Sequence, residues 1–162
     1  MRKTAPTKAD GYFHYIKSDY SERSIEKALA NGLFTKRDVD LDREFLTEQQ
    51  SCNNISTGRK NKLTFSLVGW RKFIGEFESN SIADLYEGIS RLKEGVSAKG
   101  TPYKTNTIID FIIALKQFYR WMIDNDYSTI PEKKLNKIKN PRGDSLTKET
   151  GDLLTPEDIT SI

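Results

Sequence analysis

A run of apolar residues that recurs at three- and four-residue steps is the strongest pattern in the chain. Such spacing places side chains on one face of an α-helix and predicts a helix over residues 104–125. Ile109, Ile113, Trp121 and Ile123 widen that face, so we expect the helix to pack on more than one neighbour at the centre of a bundle. The principal stripe consists of Ile108, Phe111, Ile112, Leu115, Phe118, Tyr119 and Met122.

Weaker forms of the same pattern predict four more helices, over residues 21–30, 36–50, about 56–77 and 82–94. Ser21, Thr35 and Ser81 are placed to cap three of them, and Gly32 and Gly95 to end two. No segment alternates as a strand would. The sequence therefore predicts an all-α fold: a compact bundle of about four to five helices, with an N-terminal helical extension and a C-terminal linker.

The sequence contains few of the residues that usually serve in catalysis or bind metal ions. His14 is the single histidine and Cys52 the single cysteine, so neither a catalytic site nor a metal site is predicted, and Cys52 is expected to be semi-buried. Asp38, Asp40 and Asp42 match the first ligand positions of a calcium-binding EF-hand loop, but its glycine and glutamate are absent. We interpret these acids as helix-start residues favoured by the helix dipole. No cofactor is predicted.

Positive charge is concentrated in blocks, although the net charge of +3 is only mildly basic. Residues 59–72 contain five basic residues and no acid, and residues 131–142 contain five against one. Helix starts and basic side chains are common phosphate-binding elements. The blocks also fit helix faces that are merely solvated. As DNA-binding candidates the sequence offers Arg59, Lys60, Lys62, Lys104, Thr105, Asn106, Lys116 and Arg120.

The two ends of the chain bear on where the protein is located and on whether a further domain follows. The first ten residues lack the apolar run of a secretory signal, and residues 108–123 are too polar to cross a bilayer, so we expect a cytoplasmic protein that enters no membrane. Near the other end, Thr155, Pro156 and Asp158 predict the start of a new helix. Few residues follow it, so we expect a piece cut at the threshold of a further domain.

Two short sequence motifs, here called phrases, are specific enough to compare with known families. They are Leu-Lys-Gln-Phe-Tyr-Arg-Trp-Met at residues 115–122 and Leu-Thr-Pro-Glu-Asp-Ile at residues 154–159. Together with the basic, acidic and Thr-Asn-Thr helices, they resemble the core-binding domain of tyrosine recombinases, the phage-type integrases, joined to the start of their catalytic domain. The resemblance covers about residues 55–162. It divides the chain into an N-terminal helical extension (1–54), a core-binding domain (55–128), a basic linker (129–153) and the start of a truncated catalytic domain (154–162).

The resemblance implies a helical bundle that clamps one side of a double-stranded recombination site, with assembly into an oligomer on DNA in the full-length protein. The family's arginines, lysine, histidines and tyrosine nucleophile belong beyond the second phrase, so this chain is expected to have no catalytic residues and not to be an enzyme by itself. His14-Tyr15-Ile16-Lys17 is not the family's His-x-x-Arg. The implied function is DNA binding in DNA integration and recombination.

Two other functions stay open on the residues alone. A free-standing helical transcriptional regulator would bind palindromic operator DNA as a stable dimer. A helical protein-interaction module would use the basic blocks only for solubility and would ignore DNA at low salt.

Overall fold

The computed structural model describes residues 9–142, with side chains from Tyr20 onward. Within this range the chain forms helices and no named strand, apart from an isolated bridge between Val96 and Pro102. The predicted all-α bundle is confirmed. No helix in this range is both long and apolar enough to cross a membrane. The helices are α1 (Ala9–Ala30), α2 (Lys36–Asn53), α3 (Thr57–Trp70), α4 (Ile82–Glu94), α5 (Thr105–Asp124) and the one-turn α6 (Glu132–Leu135).

Side-chain caps fix the starts of α2 and α4. The Thr35 hydroxyl accepts from the Asp38 amide at 3.1 Å, and the Asp38 carboxylate accepts from the Thr35 amide at 3.0 Å. Ser81 and Asp84 repeat this reciprocal arrangement. Each pair satisfies two amides that a helix start leaves without partners. The predicted caps Thr35 and Ser81 are confirmed, and Ser56 caps α3, close to its predicted start.

Helix α1 begins at Ala9, twelve residues before the predicted cap Ser21. That prediction is wrong because Ser21 is buried inside the helix, where its hydroxyl joins α1 to α3. It donates to Asn61 Oδ1 at 3.1 Å and accepts from the Thr64 hydroxyl at 2.8 Å. The predicted end is confirmed: α1 stops at Ala30, and Gly32 follows at φ 78°.

Helix α3 stops at Trp70, although the apolar spacing predicted a helix as far as residue 77. The cause is Asp38, on the facing α2. Its carboxylate accepts from Arg71 Nε at 2.9 Å and from the Phe77 amide at 3.0 Å. These contacts hold the chain after Trp70 in turns that still bury Ile74 and Phe77.

The core is organised around α5, as its stripe predicted. Its Phe118 ring packs edge to face with Phe45 on α2, with 5.2 Å between ring centroids, and packs at a tilt against Phe77, 4.8 Å away. Trp70 on α3 donates from its indole to the Phe111 carbonyl at 2.7 Å. Because α1 and α2 contribute to this same core, it has no break at residue 54.

The segment after α5 folds back onto the bundle. Ile130, Leu135 and Ile138 are buried, so the first part of the predicted linker packs as far as residue 138. Its apolar residues are five and three positions apart, a spacing with no helical or strand period. Residues 143–153 of that linker and the predicted helix start at Thr155 lie outside the described residues.

Candidate nucleic-acid interface

Three cations from α5 and the segment after it lie close together on one surface. We call Lys116, Arg120 and Lys139 the cation cluster. Burial lowers the pKa of Lys116, and the positive charges of Arg120 and Lys139 lower it further. Like charges that repel one another without a neutralising carboxylate form a surface suited to an anion.

Backbone and amide oxygens hold the cluster in place. Lys116 is half-buried, and its Nζ donates to the Ile138 carbonyl at 2.8 Å. Arg120 is exposed, and its Nε and Nη2 donate to Asn136 Oδ1 at 3.3 and 2.7 Å. Both partners are neutral, so the positive charges remain uncompensated by these contacts. A guanidinium has five N–H donors, which leaves Arg120 capacity for a phosphate oxygen.

Arg59 reaches the same side of α5 from the start of α3. Its Nη2 donates to Gln117 Oε1 at 3.1 Å, and Gln117 Nε2 donates to Gln49 Oε1 on α2 at 2.9 Å. Gln49 accepts a second bond from Asn53. This chain of amides fixes the Arg59 side chain one residue away from Lys116 along α5.

The other two α3 candidates are placed differently. Lys62 pairs with Asp110 at 3.3 Å, with both side chains substantially exposed. Lys60 is half-buried, and its charge acts on the buried carboxyl of Asp42. The structure therefore places Arg59 against Gln117, the residue after Lys116 on α5, whereas the charges of Lys60 and Lys62 act on Asp42 and Asp110.

Lys104, Thr105 and Asn106 lie at the opposite end of α5. Lys104 is the N-cap residue, and its side chain makes no capping bond. At about 1.5 Å per residue, Lys104 is roughly 24 Å along the helix from Arg120. The eight predicted residues are thus distributed along α3 and α5 rather than gathered at one point.

Sequence reasoning missed Lys139, Asn136 and Gln117 as parts of this surface. The basic block 131–142 was the available signal for Lys139, but nothing in the pattern placed the block against α5. Cys52 is exposed, and not semi-buried as predicted. Asp38 serves at a helix start as interpreted, whereas Asp42 is buried beyond the first turn and does not.

Comparisons with protein-family models, with curated proteins and with solved structures find no match to this chain. The described residues contain no group of three or more His, Cys, Asp or Glu side chains that could hold a metal ion. We therefore infer function from the charge and geometry of the described surfaces.

Proposed function

We propose that this chain binds double-stranded DNA across the exposed faces of α3 and α5, as the DNA-holding part of a tyrosine recombinase. The observation that carries the proposal is the cation cluster, in which Lys116 and Arg120 donate to neutral oxygens and Lys139 adds a third positive charge. Keeping like charges together costs stability, and binding a polyanion offsets that cost. Phosphate contacts supply most of the affinity of such proteins for DNA.

The surface around the cluster also fits a duplex. α5 presents the side chain of Ile113, 39% exposed, on the same side as Lys116 and Arg120. An α-helix enters the major groove, where an apolar side chain contacts the thymine methyl group and arginine bonds to guanine. Arg120 and Ile113 are accordingly the residues we expect to read sequence, while Arg59, Lys116 and Lys139 position the backbone.

The recombinase part of the proposal is supported by the phrase at residues 115–122, which the fold places on α5. In this phrase Arg120 is exposed and Lys116 is half-buried, whereas Leu115, Phe118 and Tyr119 are buried. One stretch of sequence thus supplies both the core of the bundle and the proposed DNA contact.

The test is a duplex titration of the chain at several salt concentrations. Arg120→Gln with Lys139→Gln should weaken binding and reduce the slope of log K against log salt by about 2, because two phosphate contacts disappear. The matched control is Lys36→Gln with Lys93→Gln, which makes the same charge change at two exposed lysines on α2 and α4. The control should bind as the unchanged chain does.

Equal losses in both double variants, or no binding at low salt, would contradict the proposal. A duplex that carries the recombination site of the proposed recombinase should bind more tightly than a scrambled duplex. Preference for a palindromic site by a stable dimer would instead indicate a transcriptional regulator.

A further inference from the structure

A cleft of about 470 Å³ lies at the other end of α5, bounded by α1, α3 and the loop before α5. Binding sites for small organic groups usually measure about 300–1,000 Å³. Aromatic rings from Phe65, Tyr103 and Phe111 line this cleft, and Lys72, Lys99 and Lys104 surround it. Only Lys104 is shared with the surfaces described above.

The aromatic side chains that line the cleft pack against one another and are partly open to solvent. Phe65 is 55% exposed, and its ring meets Phe111 edge to face at 6.1 Å. Gly69 permits this arrangement, because a Cβ there would lie 2.6 Å from the Phe111 ring. Tyr103 packs at 6.2 Å from Phe111 on the other side. Phe65 is exposed above the packed rings of Phe111 and Tyr103, so its flat apolar face is accessible to a ligand.

The charged side chains among the described residues that line the cleft are all positive. Lys72, Lys99 and Lys104 are exposed, and none of the described residues that line the cleft is acidic. The lining also includes the hydroxyl groups of Ser97, Thr101 and Thr107. The occupant that this lining fits has a flat apolar face, polar edges and more than one negative charge.

We propose that the cleft binds one unpaired base of a nucleic-acid strand. The base stacks on Phe65, the hydroxyl groups meet its polar edges, and the flanking phosphates contact the three lysines. Every base has a π-face that stacks on aromatic side chains, and phosphates lie on both sides of it along the strand. A single acyl carboxylate would use one lysine and leave the others unmatched, and free phosphate would leave the aromatic lining empty.

The experiment uses a short single-stranded oligonucleotide with 2-aminopurine at its centre, titrated into the whole chain. Stacking should quench the 2-aminopurine fluorescence as anisotropy reports binding. Phe65→Leu keeps an apolar side chain but removes the ring, so it should weaken binding about 10-fold and abolish the quenching. Because Phe65 is mostly exposed, this variant should keep the circular dichroism of the unchanged chain.

Two further variants complete the test. Lys72→Gln should weaken single-strand binding, whereas Lys93→Gln on α4 should not. Leu29→Ala removes another exposed apolar side chain, 41% exposed on α1, and should leave the quenching unchanged.

Duplex binding separates this proposal from the previous one. A fully paired duplex should be insensitive to Phe65→Leu and sensitive to Arg120→Gln with Lys139→Gln. Unchanged affinity and quenching in Phe65→Leu would overturn the base-binding proposal while leaving the duplex proposal standing. Saturable binding of dodecanoate, with no quenching by the oligonucleotide, would also overturn it.

Discussion

Two carboxyl groups on α2, Asp38 and Asp42, lie one turn apart and are both fully buried, yet their surroundings are opposite. Asp38 accepts hydrogen bonds from the Thr35 amide, Arg71 and the Phe77 amide. Among the residues that the structure describes, neither oxygen of Asp42 has a hydrogen-bond partner. Burial, followed by the negative charges of Asp38 and Glu22, raises the pKa of Asp42 to about 8.

The difference teaches that burial alone does not fix the role of an acid. Asp38 ties three segments together and sets where α3 ends, so it acts as part of the architecture. Asp42 has no such partners, and the fold keeps it protonated at neutral pH because a charge there would be unpaired.

The largest effect should come from Asp38→Ala. This substitution leaves Arg71 without its carboxylate and two amides without an acceptor. Breaking one side of a buried ion pair costs about 3–5 kcal/mol of unfolding free energy. Urea denaturation followed by circular dichroism measures this loss. A loss below about 1 kcal/mol would show that the contacts of Asp38 do not stabilise the fold and would contradict the contrast with Asp42.

Asp42→Asn should have a smaller effect of opposite sign. The unfolded chain releases this proton near its ordinary pKa of 3.8, whereas the folded chain keeps it until about pH 8. The free energy of unfolding therefore falls as pH rises from 4 to 8, by at most about 1.4 kcal/mol per pH unit. The stability of the variant relative to the unchanged chain should therefore be greater at pH 8 than at pH 5, by up to about 4 kcal/mol.

Asp40→Asn is the matched control for that comparison. Asp40 lies on the same helix and is exposed, so removing its charge should not alter how stability depends on pH. Equal pH profiles for Asp42→Asn and the unchanged chain would show that Asp42 is not held protonated.

Glu22→Gln should have the smallest effect. Glu22 pairs with Arg43 on the surface, and both side chains are nearly half exposed, so the pair contributes less than about 1 kcal/mol. Its loss should nevertheless lower the pKa of Asp42, because one neighbouring negative charge is gone. Unfolding measured across pH 6–9 should place the end of the falling region at lower pH than in the unchanged chain.

Local signals in the sequence were enough to predict where the helices with a side-chain cap begin. Thr35 and Ser81 act within three residues of themselves, and the stripe of α5 depends only on its own spacing. The end of α3 was not predictable in this way, because Asp38 sets it from 33 positions earlier in the chain than Arg71. Long-range contacts of this kind leave no mark on apolar periodicity.

In the candidate site, too, local sequence identified the basic residues, but long-range contacts determine which of them lie together. Arg59 and Lys62 both belong to the basic start of α3, but the residue opposite each decides its role: Gln117 for Arg59 and Asp110 for Lys62. The approach of Lys139 to Lys116 depends on how Ile138 packs. Phe65 could have been suspected, since it lies outside the stripe of Leu63, Leu67 and Trp70.

The rings of Phe45, Phe118 and Trp121 decide how this protein can be divided. Phe45 lies 5.2 Å from Phe118 and 5.5 Å from Trp121, between ring centroids. A fragment beginning after Asn54 would expose the faces of Phe118 and Trp121 that Phe45 covers, and such fragments self-associate. Helix α2 therefore shares one core with α5, to which α1 also contributes, and grafting the proposed DNA-binding helices into another protein would require both.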